Sequence, residues 1–158
     1  MKESIKTGIS FGLTSGVITT LGLIIGLHSG THSVLAVAGG IVIIAIADSL
    51  SDAIGMHIHE EAENMHTSGQ VWAATIATFV SKFATALTFL IPIFLFSLTT
   101  AVVVSVIWGL FLVSILSYAV AKLTKVNPWN AIMEHLVIAV AVVVIAHLAG
   151  RWVSAVFK

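Results

Sequence analysis

Between Phe83 and Ala121 the chain contains no Asp, Glu, Lys or Arg. A membrane-crossing helix needs about 20 mostly apolar residues, so this run is too long for one crossing and reads as parts of two. Pro92, which cannot continue a helix without losing a hydrogen bond, marks the break between them. The rest of the chain agrees: 58% of the 158 residues are hydrophobic and 9% are charged. Soluble domains carry about 25% charged residues. A water-exposed surface cannot be built from so few charges, so the surrounding medium is expected to be lipid. The expected fold class is an all-α integral membrane protein.

Five spans follow from the hydropathy pattern, at about residues 8–27, 33–56, 71–92, 96–121 and 131–153. His28 to His32 reads as a short polar turn, and residues 57–70 as a short His- and Glu-rich connector. The basic start at Lys2 and Lys6 resembles a signal peptide, but the uncharged run from Thr7 to Leu27 is longer than a signal core, so it is expected to stay as the first span. Lys2 and Lys6 fall on the same side as Lys122 and Lys125, which by the positive-inside rule puts the N-terminus and the 57–70 connector in the cytoplasm. A short chain without a targeting segment fits a prokaryotic inner membrane. The formal net charge of zero gives no reason to expect a nucleic-acid partner. The absence of cysteine excludes disulfides and thiolate metal sites.

Ionisable side chains inside a span are costly and therefore usually functional. Asp48, Asp52 and Lys82 all fall there. Asp48 and Asp52 are four residues apart, so they share a helix face, which Met56 continues. If that helix runs beyond the bilayer, His59 and His66 return almost in line with Asp48, and Glu63 lies close by. The expected stripe is Asp48, Asp52, Met56, His59, Glu63 and His66. Oxygen, imidazole and thioether donors together suit a first-row divalent metal better than magnesium or calcium. A plainer reading stands beside this one. Counted along their helices, Lys82 and Asp48 differ in depth by only ~5 Å, so either aspartate could simply pair with Lys82, and residues 57–66 could be a solvated loop.

Other features are less specific. Gly8, Gly12 and Gly16 recur every fourth residue, as do Gly22, Gly26 and Gly30, a spacing that lets helix backbones touch. Thr14, Ser15, Thr19 and Thr20 could line a pathway or bond their own helix. Trp72, Trp129 and Trp152 sit near span ends as interfacial anchors do, and Trp108, in mid-span, reads as packing. His57 and His59 are only two residues apart and point to different helix faces, so there is no HExxH-type metal site, and no nucleophile elbow or phosphate loop is present. The chain is not expected to be an enzyme.

Several segments resemble the vacuolar iron transporter family. Residues 12–26 (GLTSGVITTLGLIIG) look like that family's first span, and residues 47–60 (ADSLSDAIGMHIHE) like its second. Residues 90–94 (LIPIF) fit the proline-containing end of the third. The stretch from Asn127-Pro-Trp-Asn to Ala149-Gly150-Arg151 fits the start and close of the fifth. The resemblance implies a homodimer whose first spans line a central pathway, exporting ferrous iron or manganese from the cytosol in exchange for protons. Asp48 and Met56 match the family's pathway acid and methionine, and Glu60 the glutamate that follows. Three departures stand out. Ser15 occupies the place of a core aspartate of the family, the long helical metal-binding domain after the second span is reduced to residues 57–70, and Lys82 puts a cation beside the pathway.

The expected function is therefore divalent metal (Fe²⁺ or Mn²⁺) transport out of the cytosol by a homodimer in the lipid bilayer. His59, Glu60, Glu63 and His66 would gather metal, and Asp48, Asp52 and Met56 would form the intramembrane site. Ser15, Thr19 and Lys82 would line or gate the path. No resident cofactor is required. The alternative is a membrane sensor or scaffold that binds metal without moving it. A metalloenzyme with paired metals would need more clustered ligands than the chain offers.

Overall fold

The computed structural model describes residues 1–157 and consists of six helices: α1 (Lys2–Thr31), α2 (Val34–Ala62), α3 (Ser68–Thr88), α4 (Leu90–Leu95), α5 (Leu98–Thr124) and α6 (Pro128–Val156). Since α3 and α4 together make one apolar segment, Ser68–Leu95, five helical segments are long and apolar enough to cross a membrane. This is the architecture of a multi-pass membrane protein. One end of the bundle carries Met1, the α2–α3 connector and the α5–α6 turn. The other carries the α1–α2 turn and the end of α6.

The helices outrun the spans expected from hydropathy, because a helix continues into the interface wherever a neighbour packs on it. His28 to Thr31, expected as a turn, are the last turn of α1. Gly30 there faces the backbone of Gly150 in α6, so the helix is held by tertiary contact. The chain reverses only at His32, which has φ 51°, and Ser33, whose Oγ accepts from Ala36 N–H at 3.2 Å as the N-cap of α2. Residues 57–62 of the expected connector belong to α2, leaving residues 63–67 between helices. Gln70 closes a capping box at the start of α3, its Oε1 accepting from Thr67 N–H at 2.9 Å.

Pro92 does not end the third span. It sits inside α4, and the interruption falls at Phe89, before it. A proline at 92 offers no N–H to the carbonyl four residues back, at Thr88, where α3 stops. Phe89 N–H turns to Ala86 C=O at 3.2 Å, and the chain then carries on to Leu95.

α1 is the central element, packed against α2, α3, α5 and α6. Its two glycine rows are spent on different partners. Gly8, Gly12 and Gly16 face α3, whereas Gly22, Gly26 and Gly30 face α6. At Gly12 a Cβ would collide with Ser81 Oγ and lie 2.6 Å from Thr78 C=O. Val17, Leu21 and Ile24 of α1 close the apolar core with Val37 and Ile41 of α2, Phe89, and Val102 and Val113 of α5. α6 is the most peripheral helix: only Ala139 and Gly150 are buried, while Val137, Val144, Ile145 and Leu148 point outward. Such a coat is stable only against an apolar medium or another apolar surface.

Candidate functional site

The site is built where α1, α2 and α3 meet. Because Gly16 has no side chain, α3 lies close to α1; a Cβ there would be 3.2 Å from Lys82 C=O and 3.3 Å from Lys82 Cγ. The Lys82 side chain passes this gap and reaches α2 with only 2% of its surface exposed. Its Nζ lies 2.5 Å from Asp48 Oδ2 and 2.5 Å from Asp52 Oδ2. It also donates to Ser15 Oγ at 2.9 Å. The Ser15 hydroxyl in turn donates to Asp52 Oδ2 at 2.7 Å. An ammonium has three protons to donate, and here three oxygens from two helices surround it.

The two carboxylates share a face of α2 because they stand one helical turn apart. Neither is sealed: the side chains of Asp48 and Asp52 are 30% and 21% exposed. A lateral groove of about 410 Å³, lined by Leu23, Gly40, Ile43, Ile44, Asp48 and Ser51, opens onto Asp48. One ammonium against two carboxylates leaves one net negative charge, partly open to the side of the bundle. Thr19 lies one turn along α1, but its hydroxyl donates to Ser15 C=O at 2.9 Å and is engaged by its own helix.

The remaining residues of the expected stripe form a second group toward the N-terminal end. α2 buries a face that includes Ala53, Met56 and Glu60. Glu60, only 3% exposed, thus turns inward where the stripe expected His59. The helix stops at Ala62, and Asn64, with φ 56°, turns the chain back. His66 therefore joins by fold-back, not by helical register, placing its Nδ1 3.0 Å from Glu60 Oε2 and 3.9 Å from Glu63 Oε2. His59 Nε2 is 3.5 Å from Glu63 Oε1 on the exposed side. His57 is committed elsewhere, bonded to Thr75 Oγ1 at 3.0 Å and edge-on to Trp72. Met56 stands one turn beyond Asp52, between the two groups. Among the described residues no three His, Asp or Glu side chains converge to hold a metal ion.

Two polar pairings on α6 were not part of the expected site. His135 Nδ1 lies 2.8 Å from Ser117 Oγ, tying α6 to α5, and His147 Nδ1 lies 2.7 Å from Ser29 Oγ, tying it to α1. The sequence signal was present, a histidine within an apolar span, but its partner sits on another helix. Comparison of the chain with known protein families, with characterised proteins and with solved structures finds no match.

Proposed function

We propose that the protein moves a divalent first-row metal, Fe²⁺ or Mn²⁺, across the bilayer in exchange for protons. The observation that carries this reading is the pair of partly open carboxylates held by one buried lysine in mid-span. Lys82 is a built-in cation occupying a cation site. An entering divalent ion competes with it for Asp48 and Asp52. Loading displaces the ammonium from the two carboxylates, and unloading lets the Lys82 pairs with Asp48 and Asp52 re-form. Ser15 offers its hydroxyl oxygen to the same centre, and Met56 lies on the way to the Glu60, Glu63, His66 and His59 group, which gathers metal at the mouth.

The resemblance to vacuolar iron transporters supports the direction, export from a cytosol that faces the N-terminus, and a homodimeric assembly. The lateral groove at Asp48 fits that assembly, since a carboxylate exposed to lipid is costly and a second copy would cover it. At Ser15, the family's aspartate is replaced by a hydroxyl, and Lys82 leaves the triad with the single negative charge that a third carboxylate would otherwise raise.

The test is Fe²⁺ and Mn²⁺ uptake into proteoliposomes with and without a proton gradient. Gradient-stimulated flux that disappears in Asp52→Asn is expected. Absence of flux in the wild-type protein, with metal still bound, would instead favour the second reading, a membrane sensor or scaffold. The feature favouring that second reading is that Lys82 forms ion pairs with both carboxylates without any metal.

A further inference from the structure

At the end of the bundle away from Met1, a cavity of about 500 Å³ lies between the last turns of α1 and α6. It is lined by His28, Ser29, His32, His147, Arg151 and Ser154. The lining therefore holds three imidazoles, one guanidinium and two hydroxyls. The described segments forming this end, residues 28–40, 88–105 and 145–157, contain no Asp or Glu. α2, the other helix packed on this part of α1, brings no titratable side chain in its first turns, and neither does α5. Among the described residues the bases thus face one another without an internal counter-charge: the rings of His28 and His32 lie 5.3 Å apart. His28 Nδ1 is buried with no hydrogen-bond partner.

We infer that this cavity binds a tetrahedral oxyanion of the phosphate class, either as a free solute anion or as the headgroup of an anionic lipid. Arg151 supplies the planar fork that pairs with two oxygens of such an anion. Ser154 supplies a hydroxyl donor, the imidazoles supply further donors once protonated, and Ser29 Oγ, 2.7 Å from His147 Nδ1, has its own proton free for the anion when that nitrogen is the donor. Clustered imidazoles resist charging together unless an anion joins them, so binding is linked to proton uptake and strengthens as pH falls through the histidine range. A site at the helix ends is where headgroup phosphates lie, and basic pockets between membrane helices suit them. The inference is independent of metal transport.

The experiment is equilibrium dialysis of radiolabelled sulfate and phosphate against the delipidated full chain in a non-ionic detergent at pH 5.5 and 8.0. Sulfate keeps its charge across that range and so isolates the titration of the protein. Saturable binding, about tenfold tighter at pH 5.5 and reduced about tenfold or more by Arg151→Gln or His147→Gln, is expected. Glu61→Gln, at the other end of the bundle, should leave it unchanged. Displacement by short-chain phosphatidylglycerol but not phosphatidylcholine assigns the site to a lipid headgroup, and displacement by neither assigns it to a solute anion. No saturable binding at pH 5.5, or unchanged affinity in both variants while their melting curves match the wild type, overturns the inference.

Discussion

Lys82 Nζ on α3 donates to Ser15 Oγ on α1 at 2.9 Å, and the same hydroxyl donates a hydrogen bond to Asp52 Oδ2 on α2 at 2.7 Å. One small side chain therefore joins three helices at the point where the bilayer interior would least tolerate a free charge. Ser15→Ala removes both bonds and should lower stability by about 1–2 kcal/mol, read as a lower melting temperature in detergent. Ser15→Asp adds a third carboxylate to the same ammonium and should tighten Mn²⁺ binding, measured by calorimetry.

Lys82→Met leaves Asp48 and Asp52 facing each other with no cation. Breaking a buried pair from one side costs about 3–5 kcal/mol, and partial exposure of the two aspartates puts the expected loss near the lower figure. The triple variant Asp48→Asn, Asp52→Asn, Lys82→Met should recover most of it. Thermal unfolding of the three proteins in one detergent checks this. Equal melting of the single and triple variants would mean that the charges do not stabilise one another.

Asp52→Asn keeps the shape of the site and leaves Asp48 to hold Lys82. Fold and melting temperature should change little, whereas gradient-driven metal flux should be lost, because one carboxylate cannot both release a lysine and neutralise a divalent ion. Full flux in this variant would remove Asp52 from the mechanism.

Gly12→Val inserts a branched side chain where even a Cβ would meet Thr78 C=O at 2.6 Å. α1 and α3 must separate, at a cost of about 1–3 kcal/mol for overpacking, and Lys82 is then pulled from Asp48 and Asp52. The variant should melt lower and lose flux. Gly39→Ala, at a position where an added Cβ meets nothing within 4 Å, should do neither.

Glu60→Gln and His66→Gln address the mouth. If that group only gathers metal, each variant should raise the metal concentration needed for half-maximal flux and leave the maximal rate intact. A fall in maximal rate alone would place the pair within the translocation path.

The local pattern of the sequence determined that this chain forms apolar helices long enough to cross a bilayer, and how many there are, because hydropathy and length are properties of each segment by itself. It also determined that Asp48 and Asp52 share a face, since a turn of helix fixes that spacing. Even a pairing of Lys82 with one of them was legible from depth along the helices. Tertiary structure alone decided that Lys82 holds both aspartates together with Ser15, because that depends on how closely Gly12 and Gly16 let α3 approach α1 and on how the helices are rotated. It decided that Glu60 rather than His59 turns inward, that His66 arrives by a chain reversal at Asn64, and that His28 and His32 meet His147 and Arg151 from the far end of the sequence. Pairing between helices is set by packing of whole surfaces, and no spacing along a single helix encodes it.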